Sequence, residues 1–296
     1  MIVLPFTHAD LNLPAAESGM PTRSSISGVQ DKVELSRKRG VFSVVERGGE
    51  YILKPIPSLP LPKYQNEVPL NEALTMRIAE RVFGIRTAVN EVVAFRDGEL
   101  AYLTRRFDYR NGEKIRQEDF CQLSGRTAKI HGSDYKYNAS YEECADIVRR
   151  FCPAHRVELP KLFRRVLFNY VFSNGDAHLK NFSLFESEQG DMVLTPAYDL
   201  VATSVHIPNE TPLALDLFAD GHFTASFEGL GFYASADFIE LGRAFGLTEA
   251  MVRREISRFD SSSDAVEKTI ADSLLSVAAK ADYAAAFANR LKALRQ

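Results

Sequence analysis

Asn174-Gly175-Asp176-Ala177-His178-Leu179-Lys180-Asn181 puts a carboxylate, a lysine and an amide into one short polar segment, with Asp176 and Asn181 five residues apart. An apolar run stands just before it. Leu162, Phe163, Val166, Leu167, Tyr170 and Val171 recur at helical spacing and form one wide face. The spacing predicts a helix that starts at Pro160, a residue favoured in the first helical turn, and ends at Ser173 to Asp176. Asn and Gly are also ordinary helix-stop residues, so the segment by itself reads equally as a polar turn closing a helix.

Further along, Met192–Leu194 reads as a short strand, and Tyr198-Asp199-Leu200 follows 18 residues after Asn181. Protein-kinase catalytic loops use the same Asp-x-x-x-x-Asn spacing, with the Asp orienting the attacking hydroxyl and the Asn binding Mg²⁺, and carry a second metal-binding Asp downstream. Phosphoryl transfer asks little covalent chemistry of a protein. It needs the acceptor oxygen placed and the phosphate oxygens neutralised. On the N-terminal side, Lys54 ends the strand-like Tyr51-Ile52-Leu53-Lys54, and Glu72 lies in a predicted helix where it can hold that lysine. The small-residue loop Ser24 to Lys32 can cradle phosphate with its backbone N–H groups, although its single glycine, Gly28, fits neither a Walker A sequence nor a GxGxxG. A surface lysine, a solvated helix face, a turn aspartate and an ordinary polar loop are the plain alternatives for these four features.

The rest of the chain gives the setting. Residues 1–23 read as an irregular leader. Val41 to Glu46 and Tyr51 to Lys54 flank Gly48-Gly49 and predict a hairpin. A helix is expected from Asn66, its N-cap, to Phe83, with Leu70, Leu74, Ile78 and Val82 as its buried stripe and Gly84 as its stop. A second hairpin is expected over Val89–Phe95 and Glu99–Phe107. From about residue 106 the pattern becomes mostly helical, with one helix over Tyr141–Phe151 and two or three in the last 50 residues. A sheet-rich first part and a larger helical second part suit a bilobal nucleotide-binding enzyme, and equally many other α+β folds.

The composition excludes several classes. With 45% hydrophobic and 25% charged residues and a net charge of -3, the 296-residue chain is an ordinary globular sequence long enough for two lobes. It has no basic excess for direct nucleic-acid binding, no apolar run of membrane-spanning length and no signal peptide, so a cytoplasmic protein is expected. Cys121, Cys144 and Cys152 are expected as free, buried thiols. The histidines are too scattered for a metal site.

Ser25-Ile26-Ser27-Gly28-Val29-Gln30-Asp31-Lys32, Ile52-Leu53-Lys54-Pro55, Asn71-Glu72, Arg106-Phe107-Asp108, Gln117-Glu118-Asp119-Phe120, Lys136-Tyr137, Asn174 to Asn181 and Leu194 to Asp199 come in an order that resembles the HipA family of bacterial toxin kinases. The resemblance covers about residues 24 to 201. It implies an α+β, bilobal protein-kinase-like fold, with a small sheet-rich N-lobe over 1–106 and a helical C-lobe over 107–296. It implies an ATP- and Mg²⁺-dependent serine/threonine kinase. Asp176 would be the catalytic base, and Asn181 and Asp199 the Mg²⁺ ligands. ATP would meet Lys54, held by Glu72, and the loop Ser27, Gly28, Val29, Gln30, Asp31 and Lys32. Arg105, Arg106 and Phe107 would form the hinge, and His178, Lys180 and Tyr198 would stand beside the nucleotide. Ser25 and Ser27 would be autophosphorylated, which ejects the loop. Only about two dozen residues precede the serine loop, which is similar to the short HipT branch. The partners implied are a protein substrate, an aminoacyl-tRNA synthetase in known family members, a HipS-like small protein and a HipB-like DNA-binding antitoxin. A small-molecule phosphotransferase and a catalytically silent nucleotide-binding subunit are the competing readings.

Overall fold

A computed structural model of the chain describes residues 1–11, 30–110 and 112–296. The first part is an antiparallel sheet of β1 (Val33–Lys38), β2 (Val41–Val44), β3 (Tyr51–Lys54), β4 (Asn90–Ala94) and β5 (Leu100–Arg105), ordered β2-β1-β3-β5-β4. The hairpin expected between 41–46 and 51–54 does not form. β2 pairs with β1 across Arg39-Gly40, and β3 pairs with the other side of β1. Arg39 (φ 51°) and Gly40 (φ 86°) both have positive φ, as a two-residue turn that follows the strand twist requires. Gly49 does a different job. Its N–H donates to Glu34 Oε2 at 2.8 Å, and a Cβ there would come within 2.9 Å of the Leu35 backbone.

Residues 1–11 of the expected irregular leader pack against this sheet, and 12–23 lie outside the described residues. The Leu4 amide bonds to the Ala94 carbonyl at 2.7 Å, and Leu4 and Leu11 join the sheet's core with Leu35, Leu53, Phe95 and Leu103. An edge strand presents unpaired backbone groups, and the terminal segment satisfies those of β4.

Helix α1 spans Val68–Arg81, preceded by a 3-10 turn at Gln65–Glu67. Asn66 therefore lies in that turn and is not the cap. Pro69, in the first helical turn, costs no internal bond there. Leu70, Leu74 and Ile78 are buried as the stripe predicts, and Gly84 ends the segment at φ 63°. The apolar face of α1 enters the core of the helical part. Phe83, just beyond it, stacks on Phe259 at 4.3 Å and meets Phe168 and Phe172 edge-on.

The second part is not helical from 106 onward. A two-strand ladder of β6 (Tyr109–Arg110) and β7 (Glu113–Lys114) comes first, then β8 (Gln117–Asp119), which pairs with β9 (Ser183–Glu186); β9 in turn pairs with β10 (Met192–Leu194). β6, β7 and β8 are only two or three residues long, partly or fully exposed and mostly polar or charged, so they carry no clear period-two signal. Helices α2 (Phe120–Ser124), α3 (Ala128–His131), α4 (Tyr141–Phe151) and α5 (His155–Val171) lead to the polar segment. α4 begins at a reciprocal cap, Ser140 Oγ accepting from Glu143 N and Glu143 Oε2 accepting from Ser140 N. α5 starts at His155, with Pro160 inside it, so the proline marks the second turn and one backbone bond is forgone there. Helices α6 (Ala225–Leu230), α7 (Ser235–Ala244), α8 (Glu249–Ser261), α9 (Ser263–Ala271) and α10 (Val277–Leu294) complete the helical part. Cys121, Cys144 and Cys152 are free and buried. Among the described residues no helix is long and apolar enough to cross a membrane.

Candidate active site

Strand β3 ends on Lys54, whose side chain turns inward and is 3% exposed. Its ammonium donates to Glu72 Oε1 on α1 and to Asp199 Oδ1, each at 2.5 Å. Lys32, just before β1, donates to the other oxygen of Asp199 at 3.1 Å. Burial would raise the Asp199 carboxyl, but Lys32 and Lys54 overcome it and hold the group well below the usual carboxylate range. Burial opposes the charge on Lys54, and Asp199 with Glu72 restores it, so the ammonium titrates above its ordinary value. Glu72 moves upward because burial outweighs its lysine. Asp199 itself sits at φ 55°, a left-handed conformation that Asp and Asn tolerate better than other side chains.

The polar segment after α5 is fixed by neighbours on both sides. Thr203 Oγ1 accepts from the Gly175 amide at 2.8 Å and donates to the Ser173 carbonyl at 3.0 Å. A Cβ on Gly175 would lie 2.5 Å from the Thr211 carbonyl oxygen, so the close approach requires glycine. The Asn174 amide group donates to the Asp199 carbonyl at 3.4 Å. Asn181 Nδ2 donates to Asp199 Oδ2 at 3.3 Å, while its Oδ1 accepts from the His178 amide at 3.1 Å. Tyr137 donates from its hydroxyl to Asp176 Oδ1 at 2.6 Å.

Above these groups opens a cleft of about 890 Å³ between the sheet and the helical part, within the roughly 300–1,000 Å³ usual for small-molecule sites. Asp31, Lys32, Lys54, Arg105, Arg106, Phe107, His178, Lys180, Asn181, Tyr198 and Asp199 line it. Asp176 and Glu72 line a recess beneath it, together with Lys32, Lys54, Asn181 and Asp199. The residues marked out in the sequence thus converge from segments far apart. Gln30 reaches the cleft wall, but its amide is spent on the Pro55 carbonyl at 3.3 Å. Arg106 is held by Asp108 at 3.0 and 2.7 Å and by Glu34 at 2.9 Å, and the Phe107 ring, 5.5 Å from that of Tyr198, gives this part of the cleft wall an apolar surface. Lys180 is held by Asp119 at 2.9 Å. His178 is buried, which pushes its imidazole down to about 3 and keeps it neutral. Ser25, Ser27, Gly28 and Val29 lie outside the described residues.

Among the described residues no cluster of three His, Cys, Asp or Glu side chains forms a ready metal cage. Mg²⁺ needs none, because it commonly binds through one or two protein oxygens, waters and substrate phosphates. Asp199 and Asn181 fit that pattern, and the two ammonium groups on Asp199 already occupy its oxygens as cations. Presenting Asn181 Oδ1 to a cation beside Asp199 requires the amide to turn and release the His178 amide.

Two supporting groups carried no functional signal in the sequence. Tyr137 was visible in the Lys136-Tyr137 pair without a role. Asn71 was visible beside Glu72, also without one. Its Oδ1 accepts from Ala202 N and Thr75 Oγ1, each at 3.0 Å, and its Nδ2 donates to the Ala202 carbonyl at 3.0 Å and to His206 Nε2 at 2.9 Å. This buried amide ties the helix of Glu72 to the segment after Asp199. His206 Nδ1 then donates to the Lys63 carbonyl at 3.1 Å, so the imidazole is held neutral, and burial pushes it down to about 4. A depressed histidine contributes stability that is complete above its unfolded value of about 6.5 and is lost as pH falls toward 4. The melting temperature is expected to fall across that window, and less so in His206→Gln, which cannot take the proton. Calorimetry from pH 7 to 4.5 checks this, and equal slopes would remove His206 from the account.

A model of the HipA-like C-terminal domain matches residues 24–269. A Haemophilus influenzae protein named a putative kinase is 31% identical, over 92% of this chain and 81% of that protein. The Shewanella oneidensis serine/threonine-protein kinase toxin HipA is 31% identical over 65% of this chain and 46% of its own, so this chain matches less than half of that toxin's length. Among solved structures, the Shewanella oneidensis toxin–antitoxin complex of HipA, HipB and operator DNA matches with TM-score 0.69 at 24% identity, over 95% of this chain and 66% of that one. The Helicobacter pylori proinflammatory kinase CtkA matches with TM-score 0.56 at 11% identity, over 88% and 93%. At those identities the two structures bear on the fold alone, which is bilobal and protein-kinase-like.

Proposed function

The chain belongs to the family of the HipA-like C-terminal domain, and from that premise we propose that it is a toxin-type serine/threonine protein kinase, transferring the γ-phosphoryl group of ATP to a serine of a cellular protein. The observation that carries this is the convergence of Lys54, Glu72, Asp199, Asn181 and Asp176 on one cleft. Residues 1–106 and 107–296 are taken as the two lobes. Family resemblance supports an aminoacyl-tRNA synthetase as the substrate. It also supports the short HipT-like branch with a HipS-like partner. The HipB-bound structural relative supports a HipB-like antitoxin.

Each residue has a physical task. The Phe107 and Tyr198 rings, tilted 38° to each other, offer the adenine apolar surface. Lys54, clamped by Glu72, offers a fixed charge to the phosphates, and Lys32 a second one. Asp199 and Asn181 would hold Mg²⁺, which when bound screens the phosphate oxygens. Asp176 orients the acceptor hydroxyl and takes its proton as the acceptor oxygen bonds to the γ-phosphorus. The bond from that phosphorus to the β-phosphate oxygen breaks, and ADP leaves. His178, kept neutral, adds no competing charge. Ser25 and Ser27 are the proposed autophosphorylation sites. Phosphate there adds up to about two negative charges each to the loop proposed to cradle the ATP phosphates, so the modified loop and the nucleotide phosphates repel each other.

The test is intact-mass spectrometry of the wild type and Asp176→Ala, with and without Mg-ATP. One or two added phosphates on the wild type alone, mapped to Ser25 or Ser27, are expected. ATP consumption that needs a small-molecule acceptor would move the protein to the small-molecule phosphotransferases. ATP binding without turnover would make it a silent subunit.

A further inference from the structure

Among the described residues, Lys32, Lys54, Lys136 and Lys180 are the lysines that line the cleft. Three of them are spent within the protein. Lys32 and Lys54 hold Asp199, and Lys180 holds Asp119. Lys136 forms no ion pair among the described residues, although it is half-buried. Its backbone is fixed. The Lys136 carbonyl accepts from the Leu179 amide at 3.1 Å, which pins this segment to the loop that carries Asp176 and Asn181. Its ammonium lies 5.0 Å from the centre of the neighbouring Tyr137 ring. Burial pulls that ammonium below the ordinary lysine value; Asp176 opposes the fall, and Lys32 and Lys180 add to it. A charge that feels these three groups stands where the metal and transfer residues meet. His178, on the same loop, adds no charge there, because burial keeps it neutral.

We infer that Lys136 is a further catalytic residue, whose ammonium meets the γ-phosphate of bound ATP and stays on the phosphoryl group as it passes to the acceptor. This rests on the chain being the proposed kinase. A half-buried cation without a counter-ion is poorly compensated, and a phosphate oxygen is the anion that completes it. The other three cleft lysines already share their charge with carboxylates. In the loose transition state of phosphoryl transfer the charge spreads over the oxygens of the moving group, so a fixed cation beside them lowers the barrier. Lys136 keeps its proton throughout. The acceptor's proton goes to Asp176, and the β-phosphate oxygen leaves with ADP.

The variant is Lys136→Met, which keeps a long unbranched side chain and removes the charge. The initial rate of ADP release at saturating Mg-ATP gives turnover. Calorimetric titrations with the non-hydrolysable analogue AMP-PNP and with ADP, each with Mg²⁺, give two affinities. Turnover lowered roughly 10- to 100-fold is expected, with AMP-PNP affinity down roughly tenfold and ADP affinity within about twofold of wild type. ADP lacks the γ-phosphate, so its retained affinity also shows that the variant is folded. Three results overturn the inference. One is an unchanged turnover. Another is a lower turnover with AMP-PNP affinity unchanged, which would put the ammonium on the acceptor. The last is an ADP affinity that falls as far as that for AMP-PNP, which would make Lys136 a general support of the cleft. The proposed function fails separately. A wild type that binds AMP-PNP and releases no ADP removes the transferase itself, and the inference with it.

Discussion

Lys54→Met is expected to abolish ATP turnover and to destabilise the fold by about 3–5 kcal/mol, the usual cost of removing one partner from a buried ion pair. Among the described residues the lysine is the cation that bridges Glu72 and Asp199, and it is almost fully buried. Without it Glu72 is left as a buried carboxylate facing a second one. Methionine fills nearly the same volume, so the loss is electrostatic and not a cavity. The stability part is separable from the catalytic part. Burial already pushes the Glu72 carboxyl upward, so neutralising it by Glu72→Gln in the Lys54→Met background is expected to recover much of the stability and none of the turnover. Urea unfolding at neutral pH, read beside ADP release, checks both halves. A Lys54→Met protein as stable as wild type would mean that the pair contributes no net stability.

Asp199→Asn is expected to do the opposite, sparing the fold while lowering turnover by roughly 10²- to 10³-fold, the scale of losing one electrostatic stabiliser of a transition state. Asparagine tolerates the left-handed backbone of position 199 as aspartate does. Lys54 keeps Glu72 as a buried partner. The lost charge is the one that Lys32 and Lys54 share, and the one proposed to hold Mg²⁺ with Asn181. The melting temperature should stay within a few degrees of wild type at neutral pH, and the Mg²⁺ concentration giving half-maximal turnover should rise. Full turnover in Asp199→Asn at ordinary Mg²⁺ would remove Asp199 from the metal site.

Much of the candidate site was legible because its parts are local. Asp176 and Asn181 sit on one loop at fixed spacing, Lys54 ends a strand of clear pattern, and Glu72 follows from the stripe of α1. The bounds of Tyr141–Phe151 and Met192–Leu194 were equally plain, since a reciprocal cap and short-range periodicity define them. Other parts depart from the sequence reading, each for its own local reason. The hairpin was assigned to Gly48-Gly49 because two glycines look like a turn, whereas Arg39-Gly40 takes the turn and Gly49 serves as a close-approach point beneath β1. The start of α5 was set at its proline, although the apolar face extends one turn earlier to Leu159.

The sequence by itself marked out the candidate site residues and most of the helix and strand segments, because spacing, capping and periodicity act between neighbours along the chain. Tertiary structure alone decided who meets whom. It put Lys54 on Asp199 across 145 residues and Tyr137 on Asp176 across 39, placed β1 between β2 and β3, and laid the N-terminal segment on β4. Such pairings are chosen by burial and by the satisfaction of buried polar groups across the whole molecule. No local pattern records that choice, because the partner that completes each group lies far away in the chain.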